Sequence, residues 1–85
     1  MNRRRLLERL RRGHVQNVPF EDFCTLLEGL RFELVRTAGS HRHFDHPALP
    51  GSFTVQPRRG DAKPYQLRQC LRLIDRYNLR LEDGP

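Results

Sequence analysis

The chain has no tryptophan, one methionine, one lysine and two cysteines in 85 residues. Cys24 and Cys70 allow at most one disulfide, and both fall among apolar residues of helical period in a chain with no export signal. They are read as reduced core residues, not as a disulfide framework. Long apolar runs are missing as well, so no segment offers a membrane span or the apolar region of a signal peptide. The expectation is a cytoplasmic protein with no membrane partner. Five phenylalanines and two tyrosines leave little material for a base-stacking platform. The length and the 36% hydrophobic fraction admit one small domain and exclude a large multi-domain enzyme.

What is present is arginine. Lys and Arg number 16 against 10 Asp and Glu, a formal +6, and every one of those cations except Lys63 is Arg. The guanidinium forks onto phosphate oxygens, so this balance points to nucleic acid first and to an anionic membrane surface second. Arg3, Arg4, Arg5, Arg9, Arg11 and Arg12 against Glu8 give the first twelve residues a formal +5. Leu6, Leu7 and Leu10 recur at helical spacing among them, which predicts a short amphipathic helix ending at Gly13. It reads either as a solvated arm or as an arm that contacts phosphate or a partner.

Asn17 before Val18-Pro19 is a reasonable helix start, with Glu21 and Asp22 in the first turn. Phe20, Phe23, Cys24, Leu26, Leu27 and Leu30 then keep the three-and-four spacing of a buried stripe, predicting a helix from Pro19 to Leu30. From Phe32 the period becomes two. Phe32, Leu34 and Arg36 fall on one side of a strand and Glu33, Val35 and Thr37 on the other. A turn containing Gly39 leads to a second strand over 40–45, and Phe53 to Gln56 form a third, closed by Pro57. The segment from Arg58 to Lys63 reads as a polar loop before a last helix opened by Pro64. Tyr65, Leu67, Cys70, Leu71, Ile74 and Tyr77 are assigned to its buried face, and Arg68, Arg72, Arg76 and Arg80 to the opposite one. The expected fold is α+β: a helix, a second helix, a three-stranded antiparallel meander and a final helix, with the helices on one sheet face. The domain organisation is a basic helical extension over 1–13, a domain over 17–80 and a tail over 81–85.

Three of the four histidines fall within His41 to His46. In an extended strand His41 and His43 share a face, roughly 6.5 to 7 Å apart. If the helices cover the Phe44 side, both imidazoles project from the open side. Two imidazoles beside arginines can hold a scissile phosphodiester: one takes the 2′-hydroxyl proton, the other protonates the leaving 5′-oxygen, and guanidinium groups offset the charge on the phosphorane. The plainer reading is that they are ordinary polar residues of a wet strand. A zinc site would use His41, His43 and His46 with a cysteine, but the spacing is loose and no CxxC partner exists, so no metal or other cofactor is expected.

Leu27-Glu28, Phe32-Glu33-Leu34-Val35-Arg36, Gly39-Ser40-His41 with Phe44, Val55-Gln56-Pro57 and Lys63-Pro64-Tyr65-Gln66-Leu67-Arg68-Gln69 follow one another in an order that resembles the HicA toxins of type II toxin-antitoxin systems. The resemblance covers Asn17 to Leu79. It implies a double-stranded-RNA-binding-like fold and an endoribonuclease that cleaves mRNA, silenced by a HicB-type antitoxin covering the active site. It also implies that His41, the histidine of the Gly-Ser-His motif, is catalytic, with Gly39 and Ser40 forming the turn that presents it. The arginine-rich segment 1–12 lies outside the motif, and the partnership of His43 with His41 rests on strand geometry alone. Gly39 lets the backbone approach a phosphate and the Ser40 hydroxyl can donate to it. Arg36, Arg42, Lys63 and Arg68 are the candidate RNA contacts, Lys63 together with the N–H groups opening the last helix. The competing readings are a non-catalytic RNA-binding module and, more weakly, a DNA-binding module. The last helix has no Asn or Gln stripe for base readout.

Overall fold

The computed structural model describes residues 2–82; the expected tail therefore lies in part, at 83–85, outside the described residues. The elements are α1 (Arg3–Arg11), α2 (Phe20–Gly29), β1 (Glu33–Ala38), β2 (His41–Asp45), β3 (Phe53–Val55), β4 (Pro57–Arg58), β5 (Asp61–Ala62) and α3 (Pro64–Tyr77). The α+β class, the three helices and the three-stranded antiparallel sheet, ordered β1-β2-β3, are those expected from the sequence.

α1 forms because Asn2 accepts hydrogen bonds from the backbone N–H groups of Arg4 and Arg5, at 2.8 and 3.2 Å, satisfying donors the first turn leaves open. It does not project as an arm. Leu6 and Leu10 are fully buried, and Arg11 joins Asp75 of α3 at 2.9 Å. The Arg11 guanidinium holds the Asp75 carboxyl below its ordinary value. Gly29 makes room for this packing, since a Cβ there would stand 2.8 Å from both Arg3 Cδ and Leu81 Cδ1. α2 begins one residue later than the periodicity suggested, and Asn17 does not cap it: Asn17 sits at φ 56 and Pro19 occupies the cap position. The Phe20 N–H is taken instead by the Gly60 carbonyl at 2.9 Å.

That contact comes from an element the sequence reading had as a loop. β4 and β5 pair as a hairpin whose central residues, Arg59 at φ 53 and Gly60 at φ 84, are both left-handed, as a type I′ turn requires. The hairpin is anchored to the start of α2 by Ala62 N–H donating to Val18 O at 2.7 Å. The core lies between the helices and one face of the sheet, where Phe23 and Phe32 of the helical layer and its following turn meet Phe53 of β3, with Phe44 and Val55 buried beside them. Burying this apolar surface is the main stabilising term of so small a domain.

Three side-chain assignments change, one of them because α3 ends at Tyr77 with Asn78 left-handed at φ 52, which leaves Arg80 beyond the helix. β1 carries a β-bulge between Leu34 and Arg36, so the strict alternation read from sequence breaks at Val35: Leu34 pairs with Phe44, but Arg36 pairs with His43. Tyr65 is 55% exposed and leaves the core to its neighbour Gln66. It stands two positions before Leu67, about 200° round the helix, and so falls outside the stripe that buries Leu67, Cys70 and Ile74.

Candidate functional site

The β1–β2 connection is a two-residue turn, because Ala38 and His41 are paired and only Gly39 and Ser40 lie between them. Gly39 has φ +60, the first central position of a type II′ turn, while Ser40 keeps an ordinary negative φ. His41 is thereby the first residue of β2, exposed, directly after the turn.

Residues opposite one another in an antiparallel pair share a face, which sorts the strand residues. Phe44 is buried on the helix side, so Arg42, two positions away, points to the same side. His41, His43 and Asp45 point to the open side. The bulge adds Arg36 to that side, opposite His43. The open face therefore brings together Arg36, His41 and His43, beside the Gly39-Ser40 turn.

His43 has a partner that the sequence reading did not foresee. Thr54, opposite it on β3, has its hydroxyl 2.8 Å from His43 Nδ1. This bond fixes the ring and leaves Nε2 for other contacts. Only the β2–β3 register could have revealed it. Asp45, further along the same face, accepts a hydrogen bond from Ser52.

Arg42 is not brought to the histidines. Its guanidinium forks onto both carboxylate oxygens of Glu21, at 2.8 and 3.1 Å, lies 5.0 Å over the Phe20 ring and reaches Cys24 Sγ at 3.4 Å. These hydrogen bonds hold the Glu21 carboxyl below its ordinary value, while burial pushes the Cys24 thiol up. Arg42 also borders a groove of about 350 Å³ with Gly39, Ser40, Phe20, Pro57 and Gly60, between the turn and the β4–β5 hairpin. Lys63 and Arg68 stand beyond that groove: Lys63 is the cap residue of α3 and makes no side-chain capping bond, and Arg68 is exposed one turn later.

His46 has a structural role. Its Nδ1 accepts from the Ala48 N–H at 3.0 Å and its Nε2–H donates to the Leu30 carbonyl at 2.9 Å, which selects the neutral Nε2–H tautomer. Its ring meets Phe32 edge-on at 5.0 Å. With His46 so engaged and Cys24 and Cys70 buried, no group of three His, Cys, Asp or Glu among the described residues is placed to hold a metal ion. Among the same residues no helix is long and apolar enough to cross a membrane.

Comparison with known families matches residues 20–75 to the model of the HicA toxin of bacterial toxin-antitoxin systems. The match runs from the first residue of α2 to near the end of α3, contains the whole open face of the sheet, and leaves α1 outside. No curated protein and no solved structure matches the chain.

Proposed function

The chain belongs to the HicA toxin family, as a toxin of a toxin-antitoxin system with an antitoxin partner, and from that premise we propose that it is a metal-independent endoribonuclease acting on mRNA. The observation that carries the proposal is the joint placement of His41, His43 and Arg36 on the open sheet face beside the Gly39-Ser40 turn. His41 serves as general base and acid at the scissile phosphodiester. It removes the 2′-hydroxyl proton, the 2′-oxygen attacks phosphorus, and the 5′-oxygen leaves with a proton returned to it. The products are a 2′,3′-cyclic phosphate and a 5′-hydroxyl end, with no water consumed in this step.

His43, oriented through Nδ1 by Thr54, presents Nε2 to the phosphate as an auxiliary contact, and Arg36 offsets the charge gained by the phosphorane. The Gly39 and Ser40 backbone and the Ser40 hydroxyl hold a non-bridging oxygen, and Lys63 and Arg68 hold flanking phosphates. A HicB-type antitoxin in the cytoplasm silences the enzyme by covering this face, and opposite charge on its surface would suit a +6 partner.

The test is induced expression of the wild type and of His41→Ala in bacteria, with growth and message length followed, together with cleavage of purified RNA. Growth arrest with fragmented message in the wild type alone is expected. RNA carrying a 2′-deoxy substitution at the scissile position should resist cleavage. Binding of RNA by the wild type with no change in its length would reduce the protein to a non-catalytic RNA-binding module, and equal toxicity of a folded His41→Ala protein would remove that residue from the chemistry.

A further inference from the structure

The exposed surface of Tyr65 has no place in the chemistry above. Tyr65 is one of three large apolar side chains left exposed among the described residues, at 55%, and it is the only aromatic of the three. Its surroundings are cationic. With Pro57, Arg58, Lys63 and Pro64 it lines a recess of about 420 Å³. Arg68, one turn along α3, stands at the three-residue spacing that makes helical side chains neighbours. Tyr65 is also held in place: the buried Gln66 donates from Nε2 to the Tyr65 hydroxyl at 3.4 Å, while Gln66 Oε1 accepts from the Gln56 N–H at 3.2 Å. A flat ring, fixed at one edge and exposed on its surface, beside two prolines and three cations, suits a nucleobase whose flanking phosphates meet the cations.

We propose that Tyr65 is a stacking platform for one unpaired base of a bound RNA strand, with Arg58, Lys63 and Arg68 holding the adjacent phosphates. This rests on the reading of the chain as an RNA-binding enzyme and adds a subsite away from the reacting phosphate. Pro57 lines both this recess and the groove bordered by Gly39 and Ser40, in which the Glu21 carboxylate is paired to Arg42. A strand seated at the turn can continue across the groove to Tyr65. The strand must be single there, since stacking on a protein ring needs a base free of its duplex neighbours. The platform selects unpaired RNA by shape and leaves base identity open.

The experiment uses the full chain and a short 2′-O-methyl oligoribonucleotide, which lacks the attacking hydroxyl and survives, with 2-aminopurine at successive positions. Binding is read by anisotropy and stacking by quenching of the 2-aminopurine. One label position should be quenched by the wild type. Tyr65→Leu should abolish that quenching and weaken binding roughly 5- to 150-fold, the range for loss of one base–aromatic stack. Tyr65→Phe, which keeps the ring but loses the Gln66 hydrogen bond, should retain the quenching and lose less affinity than Tyr65→Leu, and affinity for a duplex of the same sequence should not respond to Tyr65→Leu. Thermal melts of each variant confirm the fold. Equal binding by wild type and Tyr65→Leu would overturn the platform and leave the RNA-binding reading intact, whereas failure of the wild type to bind any RNA would overturn both. Weakened antitoxin binding by Tyr65→Leu with unchanged RNA affinity would overturn the platform in favour of a protein-docking surface.

Discussion

Arg42 of β2 and Glu21 of α2 are joined by a two-pronged contact, Nη2 to Oε2 at 2.8 Å and Nη1 to Oε1 at 3.1 Å, on the side of the sheet away from the catalytic histidine proposed above. The pair ties the N-terminal turn of α2 to the central strand. Glu21 is 74% exposed, so solvent screens the attraction and the ion pair itself contributes only about 0.5 kcal/mol. The Phe20 contact adds a comparable amount.

Arg42→Met should therefore lower stability by about 1 kcal/mol in denaturant melts while RNA cleavage continues. The pH dependence has a definite sign. Glu21 is held below its ordinary value of 4.5, so its share of stability is present above that value and is lost as pH falls through the lower folded value. A double-mutant cycle at positions 21 and 42 should give a constant coupling at neutral pH that vanishes in acid. Coupling that persisted after Glu21 was protonated would assign it to packing instead.

Gly39 offers a cleaner test of the turn. A Cβ at Gly39 would meet nothing within 4 Å, so substitution there costs only the strain of φ +60. Gly39→Ala should destabilise by about 1 kcal/mol, and Gly39→Asn by less. Gly51 is an internal control: it too has open space around its Cβ position but no left-handed φ, and Gly51→Ala should be neutral or slightly stabilising in the same melts. Equal losses at both positions would show that the turn conformation is not what Gly39 supplies.

The parts of the fold legible in the sequence are those with a long local period. The stripe from Phe20 to Leu30 and that from Leu67 to Ile74 each span several turns, and both helices form where those stripes predict. The Gly39-Ser40 turn was legible because one glycine between two alternating segments has few other uses. The hairpin of β4 and β5 was not, since two-residue strands carry no period, and its partner, the start of α2, is distant in sequence. The bulge at Val35 is a property of the pairing with β2 and cannot be read from β1 alone. Its consequence for the site is large, because it puts Arg36 beside His43 where plain alternation puts it against the helices. Tyr65 was misassigned by grouping it with residues out of phase, and that exposed ring became informative only once its cationic neighbours were in place.

His46 separates a structural histidine from the candidate catalytic ones within the same short run. It bridges the end of α2 to the turn after β2 through Leu30 O and Ala48 N. His46→Ala leaves the part-buried Leu30 carbonyl without its partner, while water can take up the exposed Ala48 N–H, and should cost about 1 kcal/mol of stability, visible as a lowered melting temperature. Cleavage per folded molecule should be unchanged. His41→Ala should do the reverse, since an exposed strand residue contributes little to stability. A His46→Ala protein that melts like the wild type but no longer cleaves RNA would place His46 in the site.

Cys70 supplies a test of the core that does not involve RNA. It is fully buried on the inner face of α3, and burial pushes its thiol from an ordinary 9.0 up to about 12. Above pH 9 the unfolded chain gives up this proton while the folded chain keeps it, so the folded state binds more protons and stability must fall as pH rises through that window. Comparison with Cys70→Ala isolates the contribution: the substituted protein loses some packing at neutral pH, but its stability should decline less steeply above pH 9. The same burial predicts that a thiol reagent at neutral pH labels Cys70 only as fast as the protein opens, with labelling accelerated by denaturant. Rapid labelling of the native protein at Cys70, at the rate of an unfolded thiol, would mean that α3 does not stay packed over the core in solution.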